Sequence, residues 1–486
     1  MASPSPPHVI IFPFMAQGHT LPLLDLSKVL SSRGLKVTII TTPSNAPTIL
    51  PYINKHPKIC LRVIPFPVVD GLPKGCENTA QLPSMDLLLS FLMATTDLKQ
   101  PFEKILREMS KAGCLPICVI SDFFLGWTLP TCRLFGVPRL VFHGMGVLAM
   151  AISKTVWVHE PHLIAASDSE PLHLPGLRLP FTLTRANMPD SIGLPHHDDP
   201  FSRFISMVGE HDADSSGVIV NSFEELEGEH VASLESFYRH GAKTWCVGPF
   251  QLHDELGGHN YKSDRSLPYV EWLDDQPVSA SVIYVSLGTQ AHVSDTQLDE
   301  LALGLEMSGH PFILVIRSTT WSPPDGLEKR LKSRGVIVSD WVEQRSILAH
   351  RAIGGFLSHC GWNSVLESLS TGIPILAWPL MAEQPLNAMF VVEGLEAGMW
   401  VPSGPIGGEN RVAVGCEAIC DGVRELMGGE KGRKARERAG VVGGMARQAM
   451  KKGGSSDRRL SELINGLTNG YKVNDDVVLS PSNICN

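Results

Sequence analysis

The chain has 486 residues, 43% of them apolar and 19% charged, which is enough to bury large cores and excludes a disordered tail. Its 41 Lys and Arg against 50 Asp and Glu leave a formal net charge of −9, which argues against the basic footprint that a nucleic-acid partner requires. At roughly 150 residues per domain the length fits two to three domains, and ten cysteines without a Cys-x-x-Cys pair fit a reduced, cytoplasmic compartment.

Residues 1–7 are rich in Ser and Pro and carry no positive side chain, and the apolar run that follows, 9–14, contains Pro13. That run is too short for a signal-peptide core, and no later stretch reaches the roughly 18 unbroken apolar residues of a spanning helix. A soluble chain with no membrane span is expected. Short β-branched runs then alternate with amphipathic ones. The pattern predicts strands at 9–12, 37–41, 61–64, 117–121 and 218–221, with helices at 22–32 and 87–109. The second half repeats the rhythm, with strands at 282–287, 312–316, 336–338, 353–358 and 375–378 and helices at 296–308, 364–370 and 383–393. Near-continuous apolar strands separated by helices imply parallel sheets covered on both faces.

Two such series predict an α/β chain of two doubly wound domains. Residues 1–250 form the first and 269–460 the second, with a linker at 251–268 and a tail at 461–486 that packs back on the first domain. Segment 166–200, rich in Pro, His and Asp, reads as a surface excursion. Segment 428–459 carries many Lys and Arg and reads as a solvated helix face rather than a patch for anionic partners. The pairs Cys114/Cys118 and Cys416/Cys420 read as small buried residues. His196-His197-Asp198-Asp199 has no further partner at ligand spacing. Asp212-Ala213-Asp214 lies ahead of a strand, the wrong end for a diphosphate, and reads as a solvated turn.

Segment 341–384 holds most of the chemistry. A strand ends before His359, a turn through Cys360-Gly361 follows, and a helix begins near Asn363 or Ser364. Backbone N–H groups at such a helix start form an anion site at the carboxyl end of a parallel strand. His359 can donate to a phosphate oxygen, Glu367 can accept from ribose hydroxyls, and Trp341 offers a flat face to a base. Taken singly, Trp341 equally reads as core, Glu367 as a solvated helix residue and His359 as a structural histidine.

Together, these 44 positions closely resemble the signature box of the plant UDP-dependent glycosyltransferases that act on small lipophilic acceptors. The box opens on Trp341, carries His359-Cys360-Gly361-Trp362-Asn363-Ser364 and closes on Glu383-Gln384. Gln17-Gly18-His19, Ser121-Asp122 and the run Tyr284-Val285-Ser286-Leu287-Gly288-Thr289 extend the resemblance over the chain. It implies the GT-B arrangement of two facing Rossmann-like halves. It also implies that Trp341 stacks on uracil with Val342 and Gln344 beside it, and that Glu367 holds the ribose. His359, Asn363 and Ser364 would bind the diphosphate with Ser286 and Thr289, and Trp362, Glu383 and Gln384 would hold the sugar.

A transfer to an alcohol needs a base, and a neutral imidazole suits that near pH 7. His19 follows the first strand and Asp122 ends another, so both occupy one rim of a parallel sheet. The resemblance makes His19 the base and Asp122 its orienting partner. It also implies direct displacement that inverts the donor to a β-glycoside, with no cofactor or metal. Gln384 points to UDP-glucose. Glu383 replaces a commoner Asp, which leaves xylose, galactose or rhamnose donors open. Phe14, Met15, Met85, Phe123, Phe124, Phe142, His143 and Met145 are candidate acceptor linings for a flavonoid- or terpenoid-like molecule. His143 stands where many relatives have Thr or Ser, either as a polar contact or as packing. A nicotinamide enzyme would need G-x-G-x-x-G where Phe14 to His19 stands. A silent binding protein would have lost His19 or Asp122. Nothing demands more than a monomer.

Overall fold

A computed structural model describes residues 6–189, 192, 199–253, 267–290, 293–318, 320–331, 334–402 and 413–469. Seven parallel strands form the first sheet: β1 (His8–Phe12), β2 (Lys36–Thr41), β3 (Ile59–Val63), β4 (Cys118–Asp122), β5 (Arg139–Phe142), β6 (Gly217–Val220) and β7 (Lys243–Cys246), in the order β3-β2-β1-β4-β5-β6-β7. Six more form the second: β8 (Val282–Ser286), β9 (Phe312–Val315), β10 (Gly335–Val338), β11 (Ile353–Ser358), β12 (Ile375–Ala377) and β13 (Gly398–Trp400), in the order β10-β9-β8-β11-β12-β13. Each order reverses once, between β1 and β4 and between β8 and β11, and doubly wound sheets bind ligands at the carboxyl ends of such reversals. The central strands are buried along their whole length, as their unbroken apolar runs require.

The strand pattern omitted β5, β7 and β13. The first opens on a fully buried arginine, Arg139, while β7 begins on an exposed lysine and β13 has only three residues at a sheet edge. The helix expected at 87–109 is broken into Leu88–Thr95 and Lys99–Lys111 by a 3₁₀ turn at Thr96–Leu98. The helix expected from residue 22 starts at Gln17 and carries Pro22 inside it. A proline lacks the N–H that would bond the carbonyl four residues back, so Gly18 is left without its helical donor.

The excursion at 166–189 runs over the surface as expected but is pinned to the core. Leu172, Leu174, Leu177, Phe181, Leu183 and Met188 are all buried, and they join the core between the sheets. The basic segment forms the helix Glu430–Met450, whose Ala435, Ala439, Val442 and Ala446 face inward while Arg433 pairs with Glu430 and Glu437 outside. The linker residues 254–266, His196 to Asp198 and the tail beyond 469 lie outside the described residues. Among the described residues no helix is long and apolar enough to cross a membrane.

The last helix, Ser455–Thr468, crosses to the first sheet, so the expected boundary at 460 falls inside it. Its Leu460, Leu463 and Leu467 share one core with Val9, Ile11, Val37 and Ile39. Ser456 donates to the Gly248 carbonyl at 2.6 Å and Ser455 to Glu225 at 2.7 Å. Leu463 is 1% exposed, so Leu463→Ala leaves a cavity and is expected to destabilise the first domain by about 2–5 kcal/mol. Chemical denaturation would read this as a lowered midpoint, and an unchanged midpoint would show that the helix is peripheral.

Candidate active site

The two reversal points face each other across a cleft of about 820 Å³. On the first side, helix Gln17–Ser32 starts just past β1 and brings His19 to the end of β4, where Asp122 stands fully buried. His19 Nδ1 lies 2.7 Å from Asp122 Oδ2, and Asp122 Oδ1 accepts from the Phe124 N–H at 3.0 Å. Burial lowers the imidazole pKa, but the Asp122 charge and hydrogen bond, helped by Glu383 across the cleft, outweigh it and raise the pKa above the ordinary 6.5. Gly144 packs behind the ring. At its φ of +73°, an added Cβ would sit 3.6 Å from His19 Nδ1.

On the second side, β11 ends at Ser358 and helix Trp362–Thr371 starts four residues later. Its first-turn N–H groups open on the cleft beside His359, Asn363 and Ser364. Burial pushes the His359 pKa down to about 4, so the ring is neutral at physiological pH. Gly288 and Gly361 bracket it, and a Cβ at either would come within 2.7 Å of its Nε2. Ser286 ends β8, and Thr289 follows the left-handed Gly288. Trp341 is 45% exposed at the cleft wall, whereas Val342 is packed beneath it. Gln344 donates to Ser364 Oγ at 2.9 Å and to Glu367 at 2.7 Å, and accepts from the Tyr284 hydroxyl. Glu367 also takes the Arg345 guanidinium, which continues to Asp25 of the first domain at 2.6 Å. Glu383 and Gln384 reach the cleft from the loop after β12, with the Glu383 carboxyl raised by burial. The Gln384 carbonyl oxygen holds its own loop, accepting from the N–H groups of Leu380 and Met381.

Trp362 lines the cleft as expected, but its indole N–H is engaged elsewhere. Its indole N–H donates to the Asn221 carbonyl at 2.9 Å, and its ring lies on Gly146, where a Cβ would be 2.9 Å away. That N–H is committed to the join between the domains and not to a sugar hydroxyl. Met15 and Phe142, expected as acceptor linings, are sealed in the cores on either side of the first sheet. Phe142 ends β5 with its side chain in the core shared with helices Gln17–Ser32 and Ser455–Thr468. Phe14, Met85, Phe123, Phe124, His143 and Met145 do line the cleft. Leu88, Leu92, Met150 and Trp157 line it as well. The sequence missed these four, which lie on helices whose apolar faces look like any core face.

Asp212 corrects the reading of Asp212-Ala213-Asp214 as a solvated turn. It is fully buried, with Oδ1 taking His143 Nε2 and the Tyr238 hydroxyl at 3.0 Å each, and Oδ2 taking Lys154. Asp214 pairs instead with Arg133 and Arg239. The two carboxylates are thus already held by separate sets of donors. Among the described residues no three His, Cys, Asp or Glu side chains converge in a way that could hold a metal.

Residues 248–400 match the profile of the family described as UDP-glucoronosyl and UDP-glucosyl transferase. The chain is 37% identical to scopoletin glucosyltransferase of Nicotiana tabacum over 95% of its own length and 98% of that protein. It is 36% identical to UDP-glucose flavonoid 3-O-glucosyltransferase 7 of Fragaria ananassa, covering 95% of this chain and 96% of that one. Among solved structures, UGT73P12 of Glycyrrhiza uralensis, complexed with glycyrrhetinic acid 3-O-monoglucuronide, superposes with a TM-score of 0.83 at 30% identity and covers 96% of both chains.

Gly146 is as tight as Gly288 and Gly361, since a Cβ there would also meet Glu227 Oε1 at 2.7 Å. Gly146→Ala is expected to push Trp362 off the Asn221 carbonyl, with an overpacking cost of about 1–3 kcal/mol. Thermal unfolding together with UDP binding would detect it, and the outcome that sinks the idea is a variant matching wild type in both.

Proposed function

The chain belongs to the plant UDP-glycosyltransferases, and on that premise we propose that it is an inverting glucosyltransferase with His19 as its base. It transfers the sugar of a UDP-sugar to a small metabolite, with UDP-glucose as the proposed donor. The observation that carries this reading is the placement of the His19–Asp122 pair opposite Glu383 and the start of helix Trp362–Thr371 across one cleft.

The acceptor hydroxyl approaches His19 Nε2, because Nδ1 is held by Asp122. Asp122 keeps the proton on Nδ1 and stabilises the imidazolium that forms when Nε2 takes the hydroxyl proton. The acceptor oxygen forms its bond to the anomeric carbon as the bond to UDP breaks on the opposite face, so an α-linked donor gives a β-glycoside. Charge leaving on the diphosphate meets the helix N-terminus, His359 and the hydroxyls of Ser286, Thr289 and Ser364. These donors suit the diphosphate without a bound metal. Trp341 covers the uracil, and Val342, Gln344 and Glu367 hold the base and ribose. Asn363 steadies the helix start through Gly18. Glu383 and the amide N–H₂ of Gln384 face the glucose hydroxyls. The acceptor lies against Phe14, Phe123 and Phe124, which suits a flat phenolic such as a flavonoid or coumarin, or a terpenoid.

His19 serves as base only when neutral, and its pKa is raised, so activity should climb with pH through a value above 6.5. UDP release from UDP-glucose with a hydroxyflavone acceptor should fall about 10²–10⁴-fold in His19→Ala. In Asp122→Asn the acid limb of kcat/KM should move to lower pH, because the charge that raises it is gone. Equal rates in wild type and His19→Ala would overturn the assignment of the base.

A further inference from the structure

The network around Asp212 lies on the cleft wall and takes no part in the chemistry above. Lys154, on helix Val147–His159, lines the cleft with its ammonium on Asp212 Oδ2 and 4.8 Å above the Tyr238 ring. An ammonium carries three donors, and Asp212 takes one of them. The Asp212 carboxylate is shared with His143 and Tyr238, and behind it lies the fully buried Arg139 guanidinium. Arg139 itself hydrogen-bonds only neutral oxygens, those of Ser121, Ser215, Asp122 and His211. The Arg139 charge is met by the Asp122 carboxylate as well as by Asp212, and Lys154 keeps two donors beyond the one that Asp212 takes. Arg239, also at the cleft, is tied to Glu210 and Asp214 at the rim.

The position of Lys154 relative to the base follows from the rings between them. His19 contacts Phe124 at 5.7 Å, Phe124 contacts Phe123 at 5.4 Å, and Phe123 stacks on His143 at 4.6 Å. His143 then meets Lys154 through Asp212. An acceptor lying along this aromatic wall has its reacting hydroxyl at His19 and its far end at Lys154. The polar character of that far end continues in Ser153 and in Ser202 and Ser206 of helix Pro200–Ala213.

We propose that Lys154 forms a carboxylate subsite at the distal end of the acceptor pocket. The preferred acceptor is then an elongated lipophile with a hydroxyl at one end and an acid at the other. This rests on the acceptor pose of the proposed function. The acid can belong to the aglycone or to a uronic acid already attached to it, since Lys154 reads the same carboxylate from either source.

The test compares kcat/KM within matched pairs: a hydroxytriterpenoid acid against its methyl ester, and a hydroxyflavone glucuronide against the corresponding glucoside. A neutral hydroxyflavone is the common control. Wild type should favour the anionic member by about tenfold or more, the scale of one charge-assisted hydrogen bond. Preference within the first pair alone places the acid on the aglycone, and within the second alone places it on the sugar. Lys154→Met should bring the ratio to about one, and Lys154→Arg, which keeps the charge over Asp212, should retain it. Should the Met variant fail to fold, the wild-type ratios decide by themselves. Ratios near one in both pairs, or a preference that survives Lys154→Met, overturn the subsite while turnover of the neutral control leaves the transferase reading standing. No turnover of any acceptor overturns that reading and the subsite with it.

Discussion

Everything at this site depends on holding the carboxyl edges of two parallel sheets face to face, and a few hydrogen bonds do so at the reacting centre. Pro22 deprives the Gly18 carbonyl of its helical donor, and Asn363, from the other domain, donates to that carbonyl at 2.6 Å. One residue earlier, Trp362 donates to the Asn221 carbonyl. Arg345 bridges Asp25 and Glu367 from the far side. The first two joins lie at the start of helix Trp362–Thr371, and Gly18 precedes His19 directly. The distance between His19 and the start of helix Trp362–Thr371 is therefore set by contacts one residue from His19 and within the helix's first turn.

The two histidines nearest this join are driven in opposite directions. His19 has a buried carboxylate within hydrogen-bond reach, and that charge overcomes the desolvation which alone would lower its pKa. No acid contributes to the electrostatics of His359, so desolvation dominates and the ring stays neutral. One imidazole can then accept a proton, while the other can donate a hydrogen bond without bringing a fixed charge that would overstabilise bound UDP. The same residue type performs two tasks because the neighbours differ, and here the differing neighbour is the one carboxylate at the end of β4.

How much of this was legible in the sequence follows from how local each feature is. The strand, turn and helix from Ile353 to Thr371 lie within one continuous stretch, so the pattern alone located His359 and the helix start. His19 and Asp122 are 103 residues apart; the family resemblance singled them out, and parallel strands with their carboxyl ends on one rim made their meeting legible. Asp212 was misread for the opposite reason. Its partners His143, Lys154 and Tyr238 come from the end of β5, from helix Val147–His159 and from the bend before β7, and nothing in the chain near residue 212 announces them. Arg139 hid β5 in the same way: an arginine opens a strand against every pattern rule unless buried oxygens await it, and Ser121 and Ser215 supply them. Trp362 belonged to the motif as expected, but its role as a join depends on Asn221, 141 residues away.

The two halves of the cleft are built on different plans, and this bears on what each can change. The donor side draws most of its polar groups from 44 consecutive residues on rigid strand ends and helix starts, where one substitution disturbs several contacts, as the Gln344–Ser364–Glu367–Arg345 chain shows. The other side collects Phe14, Met85, Leu92, Phe123 and Trp157 from separate elements, each presenting only a few side chains to the cleft. A change in Met85, Leu92 or Trp157 alters the pocket's shape or polarity at a distance from the His19 ring, whereas Phe14 packs edge-on against that ring at 5.6 Å. Lys154 illustrates the point: it stands on a helix that carries none of the residues assigned to the chemistry, and Asp212 anchors it from a second helix. Selectivity for the acceptor can thus be written at that end of the aromatic wall while the reaction at the other end remains the same.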